Sequence, residues 1–127
     1  GMDVVWILEE TVTAIHNRQI AEHGGSDGTR DVGLLQSALA RPQNLLAYGE
    51  DVDIGALAAA YAYGIAKNHP FIDGNKRTAL VVMRTFLAAK GVDFMADQQD
   101  KYITILKLAE GSLDEEQLAA WVRKCIA

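Results

Sequence analysis

The sequence predicts an all-α protein, a compact bundle of six or seven helices around a buried central helix. Three observations lead there. Apolar residues recur three or four apart through nearly the whole chain. Glycine, proline and short polar residues cut that pattern into segments of helical length. The one segment with extended character, Val92 to Phe94, is too short to found a sheet.

Taken in order, Val5, Leu8, Val12, Ile15 and Gln19 share one helical face. With Asp3 as its cap, a first helix should run to about Glu22 and stop at Gly24-Gly25. A glycine-rich loop follows, carrying Ser26, Asp27, Gly28 and Thr29. Asp31 is placed to cap a second helix that buries Leu34, Leu35, Ala38 and Leu39, and Pro42 either ends it or opens a further turn through Leu46. The third begins at Asp53, with Ile54, Leu57, Ala58, Tyr61 and Ile65 on one side. The fourth, from Asn75 to about Lys90, is apolar almost all round and reads as the buried central helix, ended by Gly91. A fifth spans about Asp97 to Glu110 before Gly111. Ser112 and Glu115 read as a capping box for a sixth, which carries Leu118, Trp121, Val122, Cys125 and Ile126.

Composition narrows the functional classes. A chain of 127 residues that is 50% hydrophobic can build one core and does not belong among disordered sequences. No repeat or linker divides it, so a single domain is expected over residues 2–127, with Gly1 set aside as an expression remnant. The formal net charge of −5 argues against a general binder of nucleic acid or of membrane surfaces. Cys125 is the single cysteine, which excludes an internal disulfide and suits a reducing compartment; its place on an apolar stripe makes it core filler. No signal peptide is visible, and the apolar run from Ala79 to Ala89, broken by Arg84, is too short to span a bilayer. A cytoplasmic protein is expected.

Chemistry concentrates in His69-Pro70-Phe71-Ile72-Asp73-Gly74-Asn75-Lys76-Arg77-Thr78. An imidazole can take up a proton near neutral pH, and Pro70 keeps the preceding helix from running past it. Gly74 permits a sharp turn into the next helix. Unpaired amide N–H groups and the positive end of that helix's dipole then favour an anion. Lys76 and Arg77 oppose that dipole, so their presence asks for a negatively charged occupant. A base, a carboxylate, a turn, an amide and two cations converge within ten residues, which favours a functional site over the ordinary loop and cap roles each would have alone.

This segment resembles the active-site motif of the Fic/Doc superfamily, His-Pro-Phe-x-(Asp/Glu)-Gly-Asn-(Gly/Lys)-Arg, at every position from His69 to Arg77. Upstream, Arg30-Asp31 and the run from Gly33 to Gln43 are similar to a second signature found in the death-on-curing (Doc) branch, the toxins of toxin–antitoxin modules. The resemblance implies that His69 takes the proton of an attacking hydroxyl and that Asp73 holds Mg²⁺ against the phosphates of ATP. It implies a cradle made by Gly74, Asn75, Lys76, Arg77 and Thr78, with Lys76 and Arg77 stabilising charge during transfer. Phe71 and Ile72 read as structural, Phe71 plugging the loop onto the core.

Lys76 selects among activities. Members that transfer AMP generally have glycine there, whereas Doc toxins have lysine and phosphorylate a threonine of elongation factor Tu. A lysine fills the space that glycine leaves for a diphosphate, so the nucleotide should present a different phosphorus. The resemblance thus implies an ATP- and Mg²⁺-dependent protein kinase that blocks translation, held inactive by an antitoxin folding on its surface, with no direct role for nucleic acid or membrane. An AMP transferase on the same scaffold, or an idle module that only binds a nucleotide or partner, are the alternatives. Ser112 to Glu116 is similar to the self-silencing helix of some members, (Ser/Thr)-x-x-x-Glu-(Gly/Asn), but Gln117 departs from it and a cap already accounts for the serine. Leu45 to Asp51 lies where such enzymes carry a flap for the target chain. His16 and His23 are expected on a helix surface, the four tyrosines offer no stacking platform by their spacing, and the roles of Arg30 and Arg41 stay open.

Overall fold

The computed structural model describes residues 3–127. It contains six helices among them: α1 (Glu9–His23), α2 (Val32–Tyr48), α3 (Ile54–Asn68), α4 (Asn75–Ala89), α5 (Gln98–Glu110) and α6 (Glu115–Ile126). The only β pairing among the described residues is an isolated bridge between Thr29 and Phe71, and Val92 to Phe94 forms no strand. The all-α expectation holds.

The central helix is α3 rather than α4. It packs on α2, α4 and α6 at once, and its residues from Leu57 to Tyr61 are all fully buried. Small residues explain why. Gly55, Ala58, Ala59, Ala60, Ala62, Gly64 and Ala66 let three neighbours approach the backbone of α3, whereas α4 turns Lys76, Arg77 and Arg84 to solvent. At Gly64 a Cβ would meet the Cα and carbonyl oxygen of Ala38 at 3.2 Å. That carbonyl is the one Pro42, inside α2, cannot serve with an N–H. Pro42 is buried and does not end α2, which runs on to Tyr48.

Four helix starts follow the sequence, α4 at Asn75 among them, and two do not. Asp31, Asp53 and Asp97 accept from the amides of Leu34, Ala56 and Asp100, as short acidic caps do. The capping box of α6, however, is Asp114 with Gln117, which bond each other's backbone N–H; Ser112 instead donates to the carbonyl of Lys107. The first helix begins at Glu9 and not near Val5, so Asp3 caps nothing. The Ile7 amide is taken by the hydroxyl of Tyr61, a fully buried ring of α3, and Trp6 stacks 6.3 Å from Phe86. Tertiary anchoring thus keeps residues 3–8 out of the helix. Burial pushes the Tyr61 hydroxyl above its ordinary range.

One continuous core joins the inner faces of all six helices. Cys125 is buried at its edge, and burial raises its thiol pKa, as expected of filler. Trp121 packs edge-on against Phe94 and donates its indole N–H to Asp100 at 2.9 Å, which ties α6 to α5. No helix among the described residues is long and apolar enough to cross a membrane.

Candidate active site

The loop between α3 and α4 is folded by its own residues. Phe71 is buried and donates its N–H to the Asn75 side-chain oxygen at 2.9 Å, while the Asn75 amide returns a bond to the Phe71 carbonyl at 3.0 Å. This closed pair ties the loop to the first turn of α4. It also commits the Asn75 side-chain oxygen and one of its two amide hydrogens to the loop. Gly74 enters the helix with φ of 76°, a left-handed conformation that a Cβ would strain. Among the described residues no side chain caps α4, and the first amides of the helix remain open.

His16, expected on a helix surface, is buried and holds this loop from beneath. Its ring lies parallel to Phe71 at 3.9 Å between centroids, and its Nε2 bonds the Asp73 carbonyl oxygen at 2.7 Å. A carbonyl only accepts, so Nε2 carries the proton. A signal existed in the sequence: His16 sits one helical turn from Val12 and from Gln19, both buried. His23 is exposed, as expected.

The Asp73 carboxylate is exposed and oriented by two amides, from Gly74 at 2.8 Å and Ser26 at 3.3 Å. Gly25 makes this possible, since a Cβ there would stand 2.5 Å from Asp73 Oδ2. The glycine-rich loop after α1 is therefore part of the site. Among the described residues no cluster of three or more His, Cys, Asp or Glu side chains can hold a metal ion. One free carboxylate fits a cation that draws its remaining oxygens from phosphates and water, which is the habit of Mg²⁺ with a nucleotide.

His69, Ile72, Asp73, Gly74, Asn75, Lys76 and Arg77 line a single cleft of about 560 Å³. Six of the seven residues singled out for chemistry are thereby brought together. Thr78 is the exception: its side chain is fully buried, away from the cleft, and its hydroxyl has no partner among the described residues. Ile72, read as structural, is 56% exposed and forms part of the wall. The opposite wall comes from α5, through Gln98, Lys101, Tyr102 and Ile105. Tyr102 is 67% exposed there and offers an aromatic face after all.

Other candidates fall elsewhere. Glu116 lies by Arg123, whose cation its charge supports, in a shallow recess with Leu45 and Ala119, and does not meet Arg77. The self-silencing pair is absent among the described residues. Leu45 to Tyr48 finish α2, and no residue of the expected flap lines the cleft. Arg41 pairs with Glu115 at 2.5 Å and lies over Tyr63, which makes it a staple between α2 and α6. Arg30 bonds the carbonyls of Asn68 and His69, each at 2.8 Å.

Comparison with known proteins covers the same segments of the chain. A model of the Fic/DOC family matches residues 6–87, a span that includes the loop, the glycine-rich segment and most of α4. The chain is similar to the protein kinase doc of Escherichia phage P1, 31% identical over 118 residues that cover 93% of each chain. It is 46% identical to the toxin Doc of Mycolicibacterium smegmatis over 76 residues, 58% of each. Over 60 residues it is 47% identical to the protein adenylyltransferase Fic of Drosophila persimilis, covering 43% of this chain and 12% of that one. The α5 wall lies beyond the matched span of the family model.

Proposed function

This chain belongs to the Fic/DOC family, and from that premise we propose that it is the toxin of a toxin–antitoxin pair, a kinase that moves the γ-phosphoryl group of Mg-ATP to a threonine of elongation factor Tu. The observation that carries the reading is the convergence of His69, Asp73, Lys76 and Arg77 on one cleft against open helix amides. The attacking hydroxyl gives its proton to the His69 imidazole as its oxygen bonds the γ-phosphorus. The bond from that phosphorus to the β–γ bridging oxygen breaks, and ADP leaves. Lys76, Arg77 and the α4 amides meet charge on the transferring and leaving groups. Asp73 would hold Mg²⁺, which when bound supplies charge neutralisation between phosphates. The toxin and kinase names of the two Doc relatives support the assignment, and an antitoxin partner follows from it.

AMP transfer is the second reading, favoured by the adenylyltransferase relative, since His69, Asp73 and Arg77 serve either displacement. Lys76 favours the kinase reading: its exposed side chain lines the cleft, and a lysine there would take space that glycine leaves for a diphosphate. Incubating elongation factor Tu with the chain, Mg²⁺ and ATP labelled on the α or the γ phosphate tests both. Transfer of γ label to a threonine is expected; α label on the acceptor selects AMP transfer, and label from neither rejects both. In the same assay His69→Ala should lower transfer by about 10²–10⁴-fold with ATP affinity retained.

A further inference from the structure

An imidazole in the cleft is useful only if it is held in one direction. No hydrogen bond among the described residues restrains the His69 ring, so its aim is inherited from its backbone. That backbone is unusual. His69 is the C-cap of α3 with φ 48° and ψ 55°, a left-handed conformation that a residue bearing a Cβ keeps only where its surroundings over-determine it.

We propose that Arg30 is the positioning residue of the general base: its guanidinium locks the left-handed turn at His69 and so directs the imidazole into the cleft. The last carbonyls of a helix lack internal partners and draw cations. Arg30 meets two of them with one side chain, Nε on the His69 carbonyl and Nη2 on that of Asn68, both at 2.8 Å. Its backbone N–H and that of Asp31 take the next carbonyl, Pro70, at 2.7 and 3.0 Å. Four donors of one dipeptide thus hold three successive carbonyls centred on the base. The dipeptide is itself fixed, because Asp31 caps α2 and Asn68 donates to the Leu34 carbonyl at 3.0 Å. A planar fork suits two adjacent carbonyls; an ammonium on a flexible stem does not.

This assignment rests on His69 being the base, and the test separates the two. Arg30→Gln and Arg30→Lys are compared with the wild-type chain for transfer from Mg-ATP to elongation factor Tu, for ATP affinity and for cooperative melting. In parallel, three-bond HN–Hα coupling and Cα and Cβ shifts of His69 are read by NMR. Arg30→Gln should lose about a hundredfold in kcat with KM for ATP within about twofold and a cooperative melt, while His69 leaves its left-handed signature. Arg30→Lys should recover only a small part of the rate. Unchanged kcat, a parallel collapse of ATP affinity and kcat, or a His69 that stays left-handed in Arg30→Gln would each overturn the proposal. Should the wild-type chain modify no elongation factor Tu, the proposed function fails while the NMR measurement still decides whether Arg30 holds the turn.

Discussion

At the residue scale, the candidate site is supported by two groups that bracket it. His16 grips the Asp73 end of the loop and Arg30 the His69 end, and neither belongs to the motif between them. Replacing His16 by Leu removes the donor from the Asp73 carbonyl and the ring beneath Phe71. An orphaned acceptor costs about 1–3 kcal/mol, and a lost aromatic pair about 0.5–1.5 kcal/mol more. His16→Gln keeps an N–H of similar reach and should lose less. Urea denaturation of both variants checks this, and equal losses would mean that the hydrogen bond contributes nothing. That six of the motif residues would share one cleft was readable, because a histidine, a turn glycine and paired cations stand together at one helix entrance. His16 was missed because a polar ring on a helix reads as surface even one turn from Val12 and Gln19, and Thr78 misled because a hydroxyl at a helix start looks the same whether it points to solvent or core.

At the element scale, the acidic caps were legible because the first amides of a helix demand a short acceptor just before them. Which helix lies at the centre was not, because hydrophobicity marks a buried helix while centrality depends on how closely neighbours can come. Alanine and glycine give α3 that property with little apolar bulk. Its start is also where α6 is tied in: Asp53 caps α3 and takes a two-pronged bond from Arg123, at 2.7 and 3.0 Å. The guanidinium of Arg123 holds the Asp53 carboxyl below its ordinary value of 3.8. A depressed folded-state value stabilises the fold above the unfolded carboxyl's pKa, and that stability is lost as pH falls through the folded one. Both side chains are about half exposed, so the pair contributes only about 0.2–1 kcal/mol. Arg123→Ala should therefore melt lower than wild type at pH 7, and the gap should close in melts taken below the ordinary carboxyl range. A gap that persists in acid would assign the effect to packing of the arginine stem.

At the scale of the whole molecule, an acidic chain carries a cleft whose walls gather Lys76, Arg77 and Lys101. The contrast concentrates attraction for an anion at one place instead of spreading it over the surface. The α5 wall was invisible in the sequence because Tyr102 and Lys101 lie far along the chain from the motif, and no local pattern records that two elements will face one another. Tyr102→Ala tests that wall. Removal of a ring that only helps to bind nucleotide should raise KM for ATP by about 1–3 kcal/mol's worth of stacking, roughly tenfold or more, with kcat near wild type. A fall in kcat at constant KM would move α5 from binding to chemistry.

The lone cysteine has a practical corollary. With Cys125 sequestered and its thiol pushed up by burial, maleimide reagents should pass the folded protein by. Gln98→Cys, on the exposed rim opposite the loop, would then be the one reactive thiol. A single dye attached there turns the opening itself into a fluorescent gauge of what enters and leaves it.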